Sequence, residues 1–252
     1  MNPSPEKKIF FASDLHLGLP TIEKSREREK TFCHWLRSIK DNTAELYLVG
    51  DIFDFWFEYR KVVPKGFLHI LAELSRFREA NIPITFLTGN HDMWMEDYFK
   101  NELDIAIYKD PITRIWSNKK FYIAHGDGLG PGDHRYKILK KFFRHPICQW
   151  AFRWLHPDIG MAWAEFWSKK SRGSNFTREK LFLGADKEWL YIFAQEMLDR
   201  QHYDYFIFGH RHLPLNLGLK RGSQYINLGD WIKFYTYAEF DGYKMELRNF
   251  IP

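Results

Sequence analysis

Only two cysteines occur in 252 residues, Cys33 and Cys148, far apart and without a C-x-x-C pair. That scarcity argues against a disulfide framework and a thiolate metal site, and makes a reducing cytoplasm the default compartment. Long apolar runs are also missing. Nothing approaches the roughly 20 residues a membrane-spanning helix needs. The stretch Ile9-Phe10-Phe11-Ala12 behind Lys7 and Lys8 is cut by Asp14, far short of a signal-peptide core. No internal repeat, low-complexity tract or interdomain linker is seen, so residues 1–252 are expected to form one α/β domain with an insertion. Against these absences stand an aromatic share of 18% and a net charge of +5. The positive excess suits an anionic partner such as a phosphate ester, nucleic acid or acidic lipid headgroup.

Short apolar runs alternate with helical spacing through the first half. Residues 8–13, 46–50 and 82–88 are expected as buried strands, and 23–40 and 65–81 as helices, the second with Phe67, Leu68, Leu71, Leu74 and Phe77 on one face. Such alternation implies parallel pairing with right-handed crossovers. Further strands are expected at 121–124, 205–208, 215–220, 224–228, 234–240 and 244–249. Helices are expected from about 135 to 172 and from 178 to 201.

Five clusters place Asp, Asn or His just after a predicted strand: Asp14-Leu-His16, Gly50-Asp51-Ile-Phe-Asp54, Gly89-Asn90-His91-Asp92, His125-Gly-Asp127 and Gly209-His210-Arg-His212. In open α/β sheets ligands bind beyond the carboxyl ends of strands, so five such ends can share one site. Glycines 50, 89 and 209 suit turns where backbone passes close to a ligand. Asp14, His16, Asp51, Asn90, His125, His210 and His212 offer imidazole, amide and carboxylate donors without a thiolate. That mixture favours Mn²⁺, Fe or Zn²⁺ over Cu(I) or an iron–sulfur cluster. Seven donors exceed one tetrahedral ion and fit two ions sharing a carboxylate.

In this order the clusters resemble the calcineurin-like metallophosphoesterases, from Asp14 to His212. The resemblance implies a four-layer fold, two mixed β-sheets packed as a sandwich and flanked by helices. It implies one ion on Asp14, His16, Asp51 and His212, and another on Asp51, Asn90, His125 and His210. Two such ions roughly 3.5–4 Å apart would acidify a bridging water for in-line attack on phosphorus. His91 is then the candidate for protonating the leaving oxygen or stabilising the transition state, with Asp54 orienting it.

Residues 133–175 are read as a helical lid. They interleave Tyr136, Phe142, Phe143, Trp150, Phe152, Trp154, Trp163, Phe166 and Trp167 with nine Lys or Arg, and Pro146 and Pro157 divide them into short helices. A cationic, Trp-rich hairpin suits a substrate with a phosphate and a hydrophobic tail, or an anionic membrane surface. Phe11-Ala-Ser-Asp14-Leu-His16, Gly50-Asp51-Ile-Phe-Asp54-Phe-Trp56 and Asp133-x-x-Tyr136 look like the UDP-2,3-diacylglucosamine diphosphatases of lipid A biosynthesis. Such enzymes release UMP and 2,3-diacylglucosamine 1-phosphate, usually with Mn²⁺. Carried over by position, Trp56, Tyr136, Ser171, Arg172 and Asn175 are expected to touch substrate. Where well-known members carry Arg after the ligand Asn and Glu at position 54, this chain has His91 and Asp54. The resemblance further implies a cytoplasmic protein with peripheral contact at the inner membrane and no nucleic-acid partner. Competing readings are a soluble phosphodiesterase or nucleotide pyrophosphatase of the same superfamily, and a non-catalytic scaffold or nucleic-acid-binding module on this fold.

Overall fold

The computed structural model describes residues 7–132, 134–164, 166 and 181–251. Strand β1 (Lys8–Ala12) opens the chain and leads to α1 (Ile22–Ile39), where Thr21 caps the helix by accepting from the Lys24 amide. Phe32, Trp35, Leu36 and Ile39 follow at helical spacing and are buried. Next come β2 (Thr43–Val49), α2 (Leu68–Glu79), β3 (Ile84–Leu87), α3 (Tyr98–Leu103) and β4 (Ala106–Tyr108). On α2 Ile70, Glu73, Leu74 and Phe77 are buried, and Phe67 and Leu71 pack against the same core, so of the five residues expected on the apolar face only Leu68 points outward.

β5 (Ile112–Trp116) and β6 (Lys119–Ala124) form a hairpin, followed by α4 (His134–Phe143), α5 (Pro146–Phe152) and α6 (157–164). The chain returns through α7 (Trp189–Arg200), β7 (Tyr205–Phe208), β8 (Pro214–Gly218), β9 (Gln224–Leu228), β10 (Thr236–Phe240) and β11 (Met245–Asn249). The helix expected over 178–201 is shorter. Residues 181–184 are not helical, Gly184 sits at φ 108°, and regular helix starts only at Trp189.

The strands make two mixed sheets, ordered β11-β10-β1-β2-β3-β4 and β5-β6-β7-β9-β8. Neighbouring strands run parallel within each: β1, β2, β3 and β4 in the first, β6, β7 and β9 in the second. Alternation of side chains explains the layering. Phe10, Ala12, Leu46, Leu48 and Phe86 face α1 and α2, whereas Ile9, Phe11, Tyr47 and Val49 meet Phe121, Ile123, Ile207 and Ile226 of the other sheet. On the far side Tyr122, Phe206, Phe208 and Tyr225 pack on Leu190, Ala194 and Leu198 of α7. Strands buried on both faces are apolar throughout, which is why they read as continuous runs. The result is the expected order of helices, sheet, sheet, helix. Both cysteines are free.

Candidate metal centre

Parallel strands of both sheets aim their carboxyl ends at one place. β1 runs into Asp14 and His16, β2 into Asp51, and β3 into Asn90 and His91. From the second sheet, β6 runs into His125 and β7 into His210 and His212. Donor atoms gather in three overlapping groups, each within 4.8 Å: Asp14, His16 and His212; His16, Asp51 and His91; Asp51, His125 and His210. Asn90 joins through its Oδ1, 3.3 Å from His125 Nε2. All seven expected donors are therefore assembled, with Asp51 common to two groups.

Their spacing is that of donors around a cation. His16 Nε2 lies 3.8 Å from Asp14 Oδ1 and 3.6 Å from Asp51 Oδ2, His125 Nε2 lies 3.3 Å from Asp51 Oδ2, and His212 Nε2 lies 3.5 Å from Asp14 Oδ1. These are long for hydrogen bonds. Ligands about 2.1 Å from one tetrahedral ion stand roughly 3.4 Å apart. Asp14 Oδ1 and His16 Nε2 are buried without a hydrogen-bond partner among the described residues, a costly state unless a cation fills the gap. The residues present fit divalent metal ions.

Electrostatics point the same way. Burial alone would raise the Asp51 carboxyl, but the charges of His125 and His91 hold it well below the usual carboxylate range. Burial would lower His125, yet Asp51 lifts it to about 10; burial would lower His16 as well, yet the nearby carboxylates of Asp14, Asp54 and Asp51 lift it to about 9. His210 falls to about 4 through burial and the charge of His125. The carboxylates demand cationic neighbours, a demand that divalent ions meet with greater charge.

Local backbone pays for this convergence. Five of the seven donors, Asp14, His16, Asp51, His210 and His212, have φ between 46° and 68°, a left-handed region that side chains other than glycine rarely adopt. Two glycines make room. A Cβ on Gly89 would sit 2.1 Å from Asp51 Oδ1, and one on Gly209 2.6 Å from Asp14 Oδ2. Those oxygens instead accept from the amides of His91 (2.9 Å) and His210 (3.0 Å).

The imidazoles are backed individually. His125 Nδ1 donates to the Val49 carbonyl at 2.9 Å, and His16 Nδ1 lies 3.2 Å from Asp54 Oδ1. The expectation that the Asp54 carboxylate orients His91 is corrected here. His91 Nδ1 donates to the Asp54 backbone carbonyl at 2.9 Å, while the carboxylate stands 3.5 Å away and lies closer to His16. A carbonyl only accepts, so that contact already fixes the His91 tautomer.

Positioning residues outside the seven donors also emerge. Asp92 accepts from the amides of Ile52 (2.9 Å) and Gly89 (2.7 Å), tying the β2 turn to the β3 turn. Arg28, buried on α1, donates to the His16 carbonyl at 2.7 Å. Arg211, between two donor histidines, grips Glu188 through two bonds of 2.8 and 2.7 Å and stacks on Trp189. Asp230 stands 3.3 Å from His212 Nδ1. Its signal was present: Gly229-Asp230 follows β9 as Gly50-Asp51 follows β2.

Among the expected substrate contacts, Trp56 is corrected. Its ring is fully buried among Phe53, Phe67, Tyr98 and Phe99, and its Nε1 donates to Glu58, so it is a core residue. Tyr136 reaches the rim but commits its hydroxyl to Asp127 at 2.6 Å. Ser171, Arg172 and Asn175 lie outside the described residues.

A calcineurin-like phosphoesterase model matches residues 7–214. The chain belongs to that family. This calcineurin-like phosphoesterase is 35% identical over 256 residues to a UDP-2,3-diacylglucosamine hydrolase of Porphyromonas gingivalis, covering 96% of this chain and 97% of the relative. It is 27% identical to a protein of the same name from Shewanella sp. (strain W3-18-1), with 89% of each covered. Among solved structures it is similar to a dimetal phosphatase from Danio rerio, at 14% identity and TM-score 0.47, over 97% of this chain and 96% of that one. As a family member the protein is a metal-dependent hydrolase, and the family implies divalent metals where the donors converge.

Proposed function

We propose that the protein hydrolyses the phosphoanhydride of UDP-2,3-diacylglucosamine, giving UMP and 2,3-diacylglucosamine 1-phosphate for lipid A biosynthesis, with two ions of Mn²⁺. The name of the Porphyromonas relative, matched along nearly its whole length, supports the substrate. The observation that carries the reading is the helix beside the donors. On α4, Tyr136, Lys137, Lys140 and the following Arg144 turn toward the body, bonding Asp127, Gly130 and Asp110. Ile138, Leu139 and Phe142 turn outward, 70%, 44% and 60% exposed. An inverted helix of this kind leaves its apolar face for something other than the protein core. Trp150, Trp154 and Trp163 continue the exposed surface, whereas Phe143 and Phe152 pack on Trp94. An acyl chain supplies a matching partner, and a membrane surface would extend it.

In this reading residues of about 133–175 are a lid inserted in a single domain, and the protein is cytoplasmic with peripheral contact at the inner membrane. No helix among the described residues is long and apolar enough to cross a membrane. Asp14, His16, Asp51 and His212 would hold one ion, and Asp51, Asn90, His125 and His210 the other. When bound, the pair supplies an acidified water and neutralises phosphoryl charge. His91, its Nδ1 proton held by the Asp54 carbonyl, presents Nε2 at the rim of the site. Protonated there, it can give that proton to the leaving phosphate oxygen or stabilise the charge developing on it. Purified, Mn²⁺-loaded protein should release UMP from UDP-2,3-diacylglucosamine and turn it over well above bis-p-nitrophenyl phosphate. Cleavage of the generic diester alone would reject the lipid substrate and leave the family standing.

A further inference from the structure

We infer that Asp230 is a positioning residue that holds His212 in the tautomer able to ligate a metal, an inference that rests on the two-ion reading above. Asp230 is buried at the end of β9, outside the five motif clusters. Its Oδ1 accepts three backbone amides, from Ile232 (3.1 Å), Lys233 (2.8 Å) and Phe234 (3.1 Å). Three donors leave that oxygen no further use. Oδ2 remains, 3.3 Å from His212 Nδ1. A carboxylate oxygen is an acceptor, so the hydrogen bond to Asp230 requires a proton on Nδ1. Nε2 then turns a lone pair toward Asp14 Oδ1, 3.5 Å away. His16 is built alike, backed by Asp54, and the two rings stack at 4.9 Å and 19°. A proton on His212 Nε2 would instead point N–H at the place the ion must occupy. Carboxylates behind metal-binding histidines act in this way in general.

Substituting Asp230→Asn separates this role from that of a turn cap. The three backbone amides still require an oxygen, so the side-chain NH₂ is left facing His212. An NH₂ only donates, which forces the His212 proton onto Nε2. Long-range ¹H–¹⁵N spectra of the metal-free protein at pH about 8.5, where an ordinary imidazole is neutral, read the tautomer directly. The wild type should show protonated Nδ1 and D230N protonated Nε2, with little change in melting temperature. Mn²⁺ titration of apo-protein should show one of two ions bound about 10–100-fold more weakly in D230N. A wild-type His212 protonated on Nε2 would overturn the inference without any variant. So would a D230N protein that binds both ions as the wild type does. Failure of the wild type to take up two ions in the same titration would instead overturn the two-ion reading itself.

Discussion

Asp51 links two of the donor groups: Oδ1 accepts from the His91 amide while Oδ2 faces both His16 and His125. Its left-handed backbone and the missing Cβ of Gly89 exist only to bring it there, at a cost of about 1–3 kcal/mol for such a conformation. Replacing Asp51 with Ala should abolish uptake of both ions and nearly all activity, measured by metal analysis beside turnover. The neighbouring pair His91 and Asp54 should separate cleanly. His91→Ala is expected to keep both ions and slow turnover by about 10²–10⁴-fold; unchanged kcat would remove His91 from the chemistry. Asp54→Ala leaves the backbone carbonyl that holds His91, so its defect should appear as weaker metal binding through His16, by about 10–100-fold. Identical behaviour of the two variants would show that the carboxylate serves His91 after all.

The β-strands that end in donors were readable because burial on both faces makes them apolar throughout. Elements at the margins were not. β4 and β5 are short edge pieces separated by Pro111, and their pairing depends on β3 and β6 being in place. α7 begins only at Trp189: Glu188, whose residue type is compatible with helix, is extended at its N-terminus, where its carboxylate reaches Arg211. For α4 the pattern of apolar residues was visible, but not which side faces the body, since that depends on Asp127 and Asp110 arriving from elsewhere in the chain. Removing the outward rings, with Phe142→Ser and Trp163→Ser together, should raise KM for UDP-2,3-diacylglucosamine at least tenfold. KM for bis-p-nitrophenyl phosphate should stay within about twofold, because these rings stand clear of the protein core. An equal rise for both substrates would assign the surface a purely structural role.

Across the molecule, the segment from α4 to α7 is rooted at both ends on metal-donor turns. Asp127, two residues beyond His125, holds Tyr136 and Lys140; Arg211, between His210 and His212, holds Glu188. Glu188→Gln removes the charge opposite a buried guanidinium and should cost about 3 kcal/mol. That would lower Tm by several degrees, at about 2–4 °C per kcal/mol for a chain of this size. Metal binding should weaken with it, because the same guanidinium pins the His210–His212 turn. A stability loss with unaltered metal titration would show that the root and the centre are independent.

The amino-acid sequence by itself determined the chemistry of the donors, their order and their place after apolar strands. These are local properties, carried by residue type and by periodicity within a few positions. Which carboxylate backs which imidazole, the burial of Trp56, the inward turn of the α4 cations and the part taken by Asp230 were decided by the tertiary structure alone. Each depends on which strand end lies beside which. That adjacency comes from two sheets closing on a common core, and it joins residues as far apart as Asp14 and His210, whose separation along the chain no local pattern spans.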